Sequence, residues 1–228
     1  GEVVGISGLM GAGRTELAMS LFGRSYGTGI SGTLLMNGKE VHLKNVRQAI
    51  DHKLAYVTED RKGNGLILSN PIYTNTSLAK MDEVSHFGVI DKLKEVQVAE
   101  DYRQKLHTKA PSVYQNVGNL SGGNQQKVCI ARALTLEPDI LFVSEPTRGI
   151  DIGAKKMILD SLMKLNKEKG VTVIITSSEL AELRSVCNRI AIVTEGRIAG
   201  ILRSDDKDYK FGLLMSGSKL VDADEEAI

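Results

Sequence analysis

Apolar residues come in short bursts along this chain, separated by glycine-rich or charged turns, which is the rhythm of alternating strands and helices. Val3, Val4 and Ile6 form a first strand, and Leu17, Met19, Leu21 and Phe22 recur behind it at helical spacing. Residues 33–35 and 41–43 flank Asn37-Gly38, a strong hairpin signal. Asn45 is placed to cap a short helix through Ile50, and Leu54–Val57 reads as the next strand. Residues 140–143 are wholly apolar, as a parallel strand buried on both faces requires, and 171–175 read the same way. Helices over 154–165 and Leu180–Val186 follow these strands. Residues 190–193 and 198–202 make a hairpin turning at Glu195-Gly196, and 207–215 looks helical.

Between Glu59 and Ser121 lie about sixty residues, too many for a plain loop, so they carry structure of their own. Pro71 and the Asn/Thr/Ser cluster at 70–77 punctuate them. Val89, Leu93, Val96 and Leu106 then give a helix over 89–107. Ser121 caps a further helix carrying Val128, Ile130, Ala131 and Leu134, which Pro138 ends. The expected fold is α/β: a mostly parallel central sheet with flanking helices and an antiparallel β edge, formed by 1–65 and 137–217. A helical subdomain is inserted over 66–136, and 218–228 is an acidic tail expected to be disordered.

Composition narrows the function classes. The net charge is +1, so no basic face marks a nucleic-acid surface, and four Phe with no Trp leave little for base stacking. No apolar run approaches the roughly 20 residues that span a bilayer, and no signal peptide opens the chain. Cys129 and Cys187 are too few for a disulfide scaffold, which suits a reducing compartment. Gly1 is no initiator and strand 3–6 runs straight into the first loop, which reads as a piece of a longer polypeptide.

Two glycine-rich stretches carry candidate chemistry. Gly8, Gly13 and Thr15 fit the phosphate-loop template G-x-x-x-x-G-K-[ST] in the required strand–loop–helix context, which argues against a chance turn. Gly8, Gly11, Ala12, Gly13, Arg14, Thr15 and Glu16 are thus candidates to hold phosphate, with the Thr15 hydroxyl a ligand for Mg²⁺. Arg14 stands where lysine belongs; a planar guanidinium is no conservative replacement for a compact ammonium in a tight cradle. The second stretch is Ser121-Gly122-Gly123. A helix whose first turn lacks side chains turns free N–H groups and its positive dipole end outward, where anions bind. An ordinary capped helix is the plainer reading of those three residues alone.

The whole string LSGGNQQK over 120–127 is more specific, and resembles the signature motif of ATP-binding-cassette (ABC) ATPases. In that family Ser121, Gly122, Gly123 and Gln125 match positions that contact ATP held by a different cassette. Four motifs in the family's order cover the chain to about residue 217. GLMGAGRTE, residues 58–62, LSGGNQQK, EPTRGIDIGAKK and Ser-Ser-Glu together resemble the second, C-terminal cassette of tandem ABC ATPases serving bacterial sugar importers.

The resemblance implies a P-loop NTPase cassette that binds ATP and Mg²⁺. Glu145 matches the residue that polarises the attacking water, while Ser144 replaces the aspartate that holds the magnesium shell. Glu59 takes the place of a glutamine that touches Mg²⁺ and moves with the transmembrane partner; a solvated charged loop is the alternative. Ser178 stands where a histidine usually meets the γ-phosphate, and Asp151 matches a loop through which two cassettes touch, or simply caps a helix. Implied partners are an N-terminal cassette of the same polypeptide, transmembrane permease subunits and, indirectly, a periplasmic sugar-binding protein, with no nucleic acid. The implied location is peripheral, on the cytoplasmic face of the bacterial inner membrane. The aromatic that stacks on adenine falls upstream of Gly1 in this family. Two readings stay open: a half whose own site is degenerate and whose signature completes the partner's site, and a fully hydrolysing cassette. A chromosome-maintenance ATPase of the same fold lacks support, because such proteins carry long coiled-coil insertions and a DNA footprint. A GTPase lacks an N-K-x-D string.

Overall fold

The computed structural model describes residues 1–219; the expected acidic tail, Ser218 and Lys219 apart, lies outside them. The chain runs β1 (Val3–Ser7), α1 (Arg14–Leu21), β2 (Leu34–Met36), β3 (Lys39–Val41), α2 (Val46–Asp51), β4 (Leu54–Val57), α3 (Ile72–Ser77), β5 (Ser85–His86), β6 (Val89–Ile90) and α4 (Lys92–Lys105). It continues through α5 (Gly122–Leu134), β7 (Ile140–Ser144), α6 (Ile152–Lys169), β8 (Thr172–Thr176), α7 (Leu180–Val186), β9 (Arg189–Thr194), β10 (Arg197–Arg203) and α8 (Asp208–Met215).

Six strands form one sheet in the order β10-β9-β1-β8-β7-β4. All neighbours are parallel except β10, which pairs antiparallel with β9 along the edge. The expected mostly parallel sheet with an antiparallel edge is therefore present. Burial of β7 shows why its sequence is continuously apolar. Leu141 and Val143 join a core with Ile158 and Leu162 of α6 and Ile130 and Leu134 of α5, while Phe142 packs on the other face with Ala18, Phe22 and Ala49. Neither face meets water, so no position along the strand is free to be polar.

The same core runs without a break from the sheet into segment 66–136, joining Leu66, Ile72, Ala99 and Val117 to Val173 and Ile190. Helix α5 is the hinge of this packing: it is buried from Gln125 through Ala131 and touches α3, α4, α6 and β4.

Three two-residue turns share one physical basis. Asn37-Gly38, Phe87-Gly88 and Glu195-Gly196 each hold both residues at positive φ, between 48° and 78°, the twist that suits a tight hairpin. The first pairs Leu34 with Val41 and Met36 with Lys39, so its strands are 34–36 and 39–41, not 33–35 and 41–43. The second corrects the helix expected over 89–107. Val89 and Ile90 pair with Ser85 and His86, and α4 starts only at Lys92, where the Asp91 carboxylate accepts the N–H groups of Leu93 and Lys94 at 3.0 and 3.1 Å. Helix α5 stops at Leu134, before Pro138, and α6 runs past the expected 154–165 in both directions.

Leu141 has no exposed surface and belongs to the core cluster that includes Ile158 and Leu162 of α6. Leu141→Ala is expected to cost about 2–5 kcal/mol by the loss of its methyls and the cavity left behind, read from the midpoint of urea unfolding.

Candidate functional site

Parallel pairing brings the C-terminal ends of β1, β4, β7 and β8 to one side of the sheet, the side where α/β folds place ligands. The loop after β1 is shaped by its glycines. A Cβ on Gly8 would lie 2.2 Å from the Val193 carbonyl oxygen, so only glycine fits beside β9. Gly11 and Gly13 sit at φ 79° and 98°, which lets the loop coil back under α1. The loop is pinned by the Gly196 N–H, which donates to Ala12 O at 3.0 Å. The first helical bond runs from Leu17 N–H to Gly13 O at 2.9 Å. Ahead of it, the N–H groups of Gly13, Arg14, Thr15 and Glu16 have no acceptor among the described residues. This is a cradle that a phosphate oxygen fits.

Around the cradle, Gly11, Ala12, Gly13, Arg14, Thr15, Glu16, Glu59, Glu145 and Ser178 line one cleft of about 260 Å³ with Met10, Arg148 and Glu179. Every candidate phosphate, metal and catalytic residue thus comes together except Gly8, which works behind the loop. Arg14 Nη1 donates to Glu145 Oε1 at 2.9 Å, with the two side chains only 10% and 12% exposed. The Ser178 N–H donates to the same oxygen at 2.9 Å, and its hydroxyl to Oε2 at 3.3 Å. Glu145 sits at φ 43°, unusual for a residue with a side chain, and its N–H donates to Thr176 O at 2.8 Å.

Ser144 is buried, and its hydroxyl accepts from the Thr176 hydroxyl at 2.9 Å. Beside it stands Tyr56, which nothing in the spacing of residues singles out. Burial pushes its phenol up to about 12. Tyr56 leans toward Glu59 Oε2 at 3.5 Å, a weak contact. The Thr15 hydroxyl and the Glu59 carboxylate are hard oxygen donors of the kind Mg²⁺ takes, in the same cleft as the phosphate cradle, so the set fits that ion. Its weakness is Ser144, a neutral hydroxyl already engaged.

The second glycine stretch lies elsewhere: none of Ser121, Gly122, Gly123, Gln125 or Asp151 lines that cleft. The first bond of α5 runs from Gln125 N–H to Ser121 O at 2.9 Å, which leaves the N–H groups of Gly122, Gly123 and Asn124 ahead of it. Ser121 does not cap them with its side chain; its hydroxyl instead accepts from Asn124 Nδ2 at 2.9 Å. Both glycines answer to packing. A Cβ on Gly123 would come within 2.8 Å of Ala154 Cβ, and one on Gly122 within 3.2 Å of Gly149 O. The start of α5 is thereby pressed against the start of α6. Asp151 caps α6, its Oδ1 accepting from Ala154 N–H at 2.9 Å, so the helix-capping role holds in this structure.

Gln125 is buried, and its amide nitrogen donates to Val117 O and Leu120 O at 3.2 Å each, so it ties down the preceding turn. Arg61 is a residue that sequence reasoning missed. Its guanidinium donates to Arg148 O at 2.7 Å and Gly149 O at 3.2 Å, clamping the turn between β7 and α6. The only signal was a charged run, Glu59-Asp60-Arg61-Lys62, which reads equally as a solvated loop.

Gly123→Ala is expected to destabilise the fold by about 1–3 kcal/mol, since the extra methyl must push α5 off α6; chemical unfolding measures it. Burial pushes the thiols of Cys129 and Cys187 up to about 12. Both are therefore expected to resist an aromatic disulfide reagent at pH 8 in the native protein and to react at once in denaturant, where a thiol titrates near its ordinary value.

Comparison with known proteins agrees with this geometry. A family model described as "ABC transporter" matches residues 1–148. The chain is 48% identical over 217 residues to an L-arabinose transport ATP-binding protein of Geobacillus stearothermophilus, covering 95% of this chain and 42% of that protein. It is 44% identical over 210 residues to a xylose import ATP-binding protein of Thermoanaerobacter pseudethanolicus, covering 92% and 41%. A ribose import ATP-binding protein of Clostridium perfringens is 42% identical over 211 residues, covering 92% and 42%. The chain thus spans about two-fifths of the length of these relatives. Among solved structures, an ATP-binding cassette dimer with ADP and phosphate shares the fold at a TM-score of 0.74 and 22% identity, covering 90% of this chain and 87% of that one. With the family model spanning most of the chain, and with a phosphate cradle at the strand ends where such a loop belongs, the chain belongs to the ABC transporter family.

Proposed function

We propose that this chain is one ATP-binding cassette of a bacterial carbohydrate importer, the second half of a two-cassette polypeptide. The relatives' names point to pentose import, and the chain's share of their length leaves room for a first cassette in each. On this reading 1–65 and 137–217 are the nucleotide-binding core and 66–136 is the helical subdomain that carries the signature. The cassette lies on the cytoplasmic face of the inner membrane beneath permease subunits fed by a periplasmic sugar-binding protein. Among the described residues no helix is long and apolar enough to cross a membrane.

The observation that carries the proposal is an asymmetry between the chain's two ends of the chemistry. Its own cleft departs from the family pattern at Arg14, Glu59, Ser144 and Ser178, whereas its signature, Ser121 to Gly123, is intact. In the own cleft the N–H groups of Gly13 to Glu16 bind the phosphates of ATP, and Thr15 and Glu59 hold Mg²⁺. Bound there, Mg²⁺ would offset phosphate charge, but the neutral Ser144 gives it no anionic support, so affinity is low. Ser121 and the exposed first turn of α5 complete the ATP site of the other cassette, where the helix end donates to phosphate. This half therefore regulates and assists rather than turning over quickly itself.

A second reading, full hydrolysis in the own site, is favoured by one observation: Glu145 stands in the cleft where a water-polarising carboxylate belongs. The assembled transporter separates the two. Ser121→Arg is expected to lower substrate-stimulated ATPase by about a hundredfold, the scale of losing a positioned donor and blocking the site. Glu145→Gln is expected to change it by less than about threefold, under 1 kcal/mol of barrier. Loss of all turnover in the Glu145→Gln transporter would refute the degenerate reading in favour of the second.

A further inference from the structure

The departures at Arg14 and Ser178 converge on one group. Three hydrogen bonds reach the Glu145 carboxylate, and all three come from these two positions: Arg14 Nη1 and Ser178 N–H on Oε1, and the Ser178 hydroxyl on Oε2. The contacts join the start of α1 to the residues that follow β7 and β8; the Arg14–Glu145 pair is nearly buried, while Ser178 is exposed. Position 144, next to the carboxylate, is a neutral serine whose hydroxyl is taken up by Thr176, so no second anion there competes for the guanidinium. Arg14 pairs with Glu145 in a cleft that Arg148, Glu16, Glu59 and Glu179 also line.

We propose that Arg14, Glu145 and Ser178 form an ionic clasp that a nucleotide phosphate must open. The inference rests on the reading of this cleft as a nucleotide site and names how that site is regulated. Arg14 has one guanidinium to give. A phosphate entering the cradle at Gly13–Glu16 draws it away from Glu145, and breaking a nearly buried, charge-assisted pair opposes binding. Until then Oε1 accepts two hydrogen bonds and Oε2 one at 3.3 Å, so Glu145 is held as an anchor by the residues that follow β1 and β8. Ser178 extends the anchor: its backbone N–H holds the carboxylate with or without Arg14, so an opened clasp re-forms at the same place when phosphate leaves. Arg14 and Ser178 are in this sense positioning residues for Glu145. The clasp also explains an arginine at position 14 in physical terms, because a guanidinium reaches across the cleft with a planar face of donors where a lysine offers a single point charge.

The test is ADP binding to the wild-type chain, Glu145→Gln, Arg14→Gln and the double variant, by calorimetry without Mg²⁺, so that neither hydrolysis nor the metal position enters. Removing the carboxylate charge frees Arg14, and Glu145→Gln is expected to bind ADP about tenfold more tightly, a gain of 1.4 kcal/mol by the usual conversion. Arg14→Gln is expected to weaken binding, and adding Glu145→Gln to it is expected to give no gain, since nothing remains to be freed. A nucleotide-free melting series on the same four proteins is expected to show non-additive losses between positions 14 and 145, a readout that a purely local role for either residue does not produce. Ordinary ADP binding by the wild type with an unchanged or weaker Glu145→Gln variant overturns the clasp and leaves the proposed function standing. Failure of ADP to bind the wild type and all variants overturns the nucleotide-site reading itself, and the clasp's competition with it.

Discussion

Strands that pair in parallel end on the same side of the sheet, and this constraint decides where chemistry can gather in this molecule. Pairing of Val57 with Val143 and of Ser144 with Thr176 sets the ends of β4, β7 and β8 level. The residues that follow, Glu59, Glu145 and Ser178, then have nowhere to go but the rim already occupied by the loop after β1. Burial of both faces of β7 fixes the register, because a slip of one residue would exchange Leu141 and Phe142 between two differently shaped cores. The cleft is thus a consequence of the core, and its composition can vary at the rim without disturbing the sheet. Ser178, exposed beyond the end of β8, is such a rim position, whereas Ser144 is buried as the last residue of β7.

Close packing does comparable work at the other glycine stretch. The approach of α5 to α6 demands a hydrogen at Gly123, and the Arg61 clamp on Gly149 O crowds Gly122. Gly122 and Gly123 therefore serve the joint between two helices, whatever else the open end of α5 does. Segment 66–136 shares one continuous apolar core with the sheet, so movement at this joint is felt on both sides of it.

Most of the architecture was legible in the sequence because it rests on periodicity. The apolar runs of β4, β7 and β8 and the glycine loop after β1 state their own context. Turn chemistry was legible at Asn37-Gly38, where the first residue is a turn former, and at Glu195-Gly196, where apolar runs flank the glycine; it was missed at Phe87-Gly88, where an exposed Phe at positive φ gives no such sign. The site was legible as a set of positions but not as a set of bonds. Arg14 and Ser178 could be recognised as departures one at a time; that both reach Glu145 depends on three strand ends meeting, which no spacing along the chain encodes. The bonds of Gln125 to Val117 O and Leu120 O were hidden for the same reason, since a matching position says nothing about which way its amide turns. Tyr56 and Arg61 are ordinary residues in the sequence and acquire meaning only from what they lie against.

On the proposed function, this cassette's own cleft has lost its firm hold on the metal-bound nucleotide while the open end of α5 keeps its role. ATP titration by calorimetry, with and without Mg²⁺, tests the first half most directly. The ratio of the two affinities reports on the metal position alone and is insensitive to whatever holds the adenine. Affinities within about threefold of each other, a difference under 1 kcal/mol, are the predicted result. An affinity raised by Mg²⁺ a hundredfold or more, about 2.7 kcal/mol, would mean that Thr15 and Glu59 suffice without an aspartate at position 144, and would contradict the account.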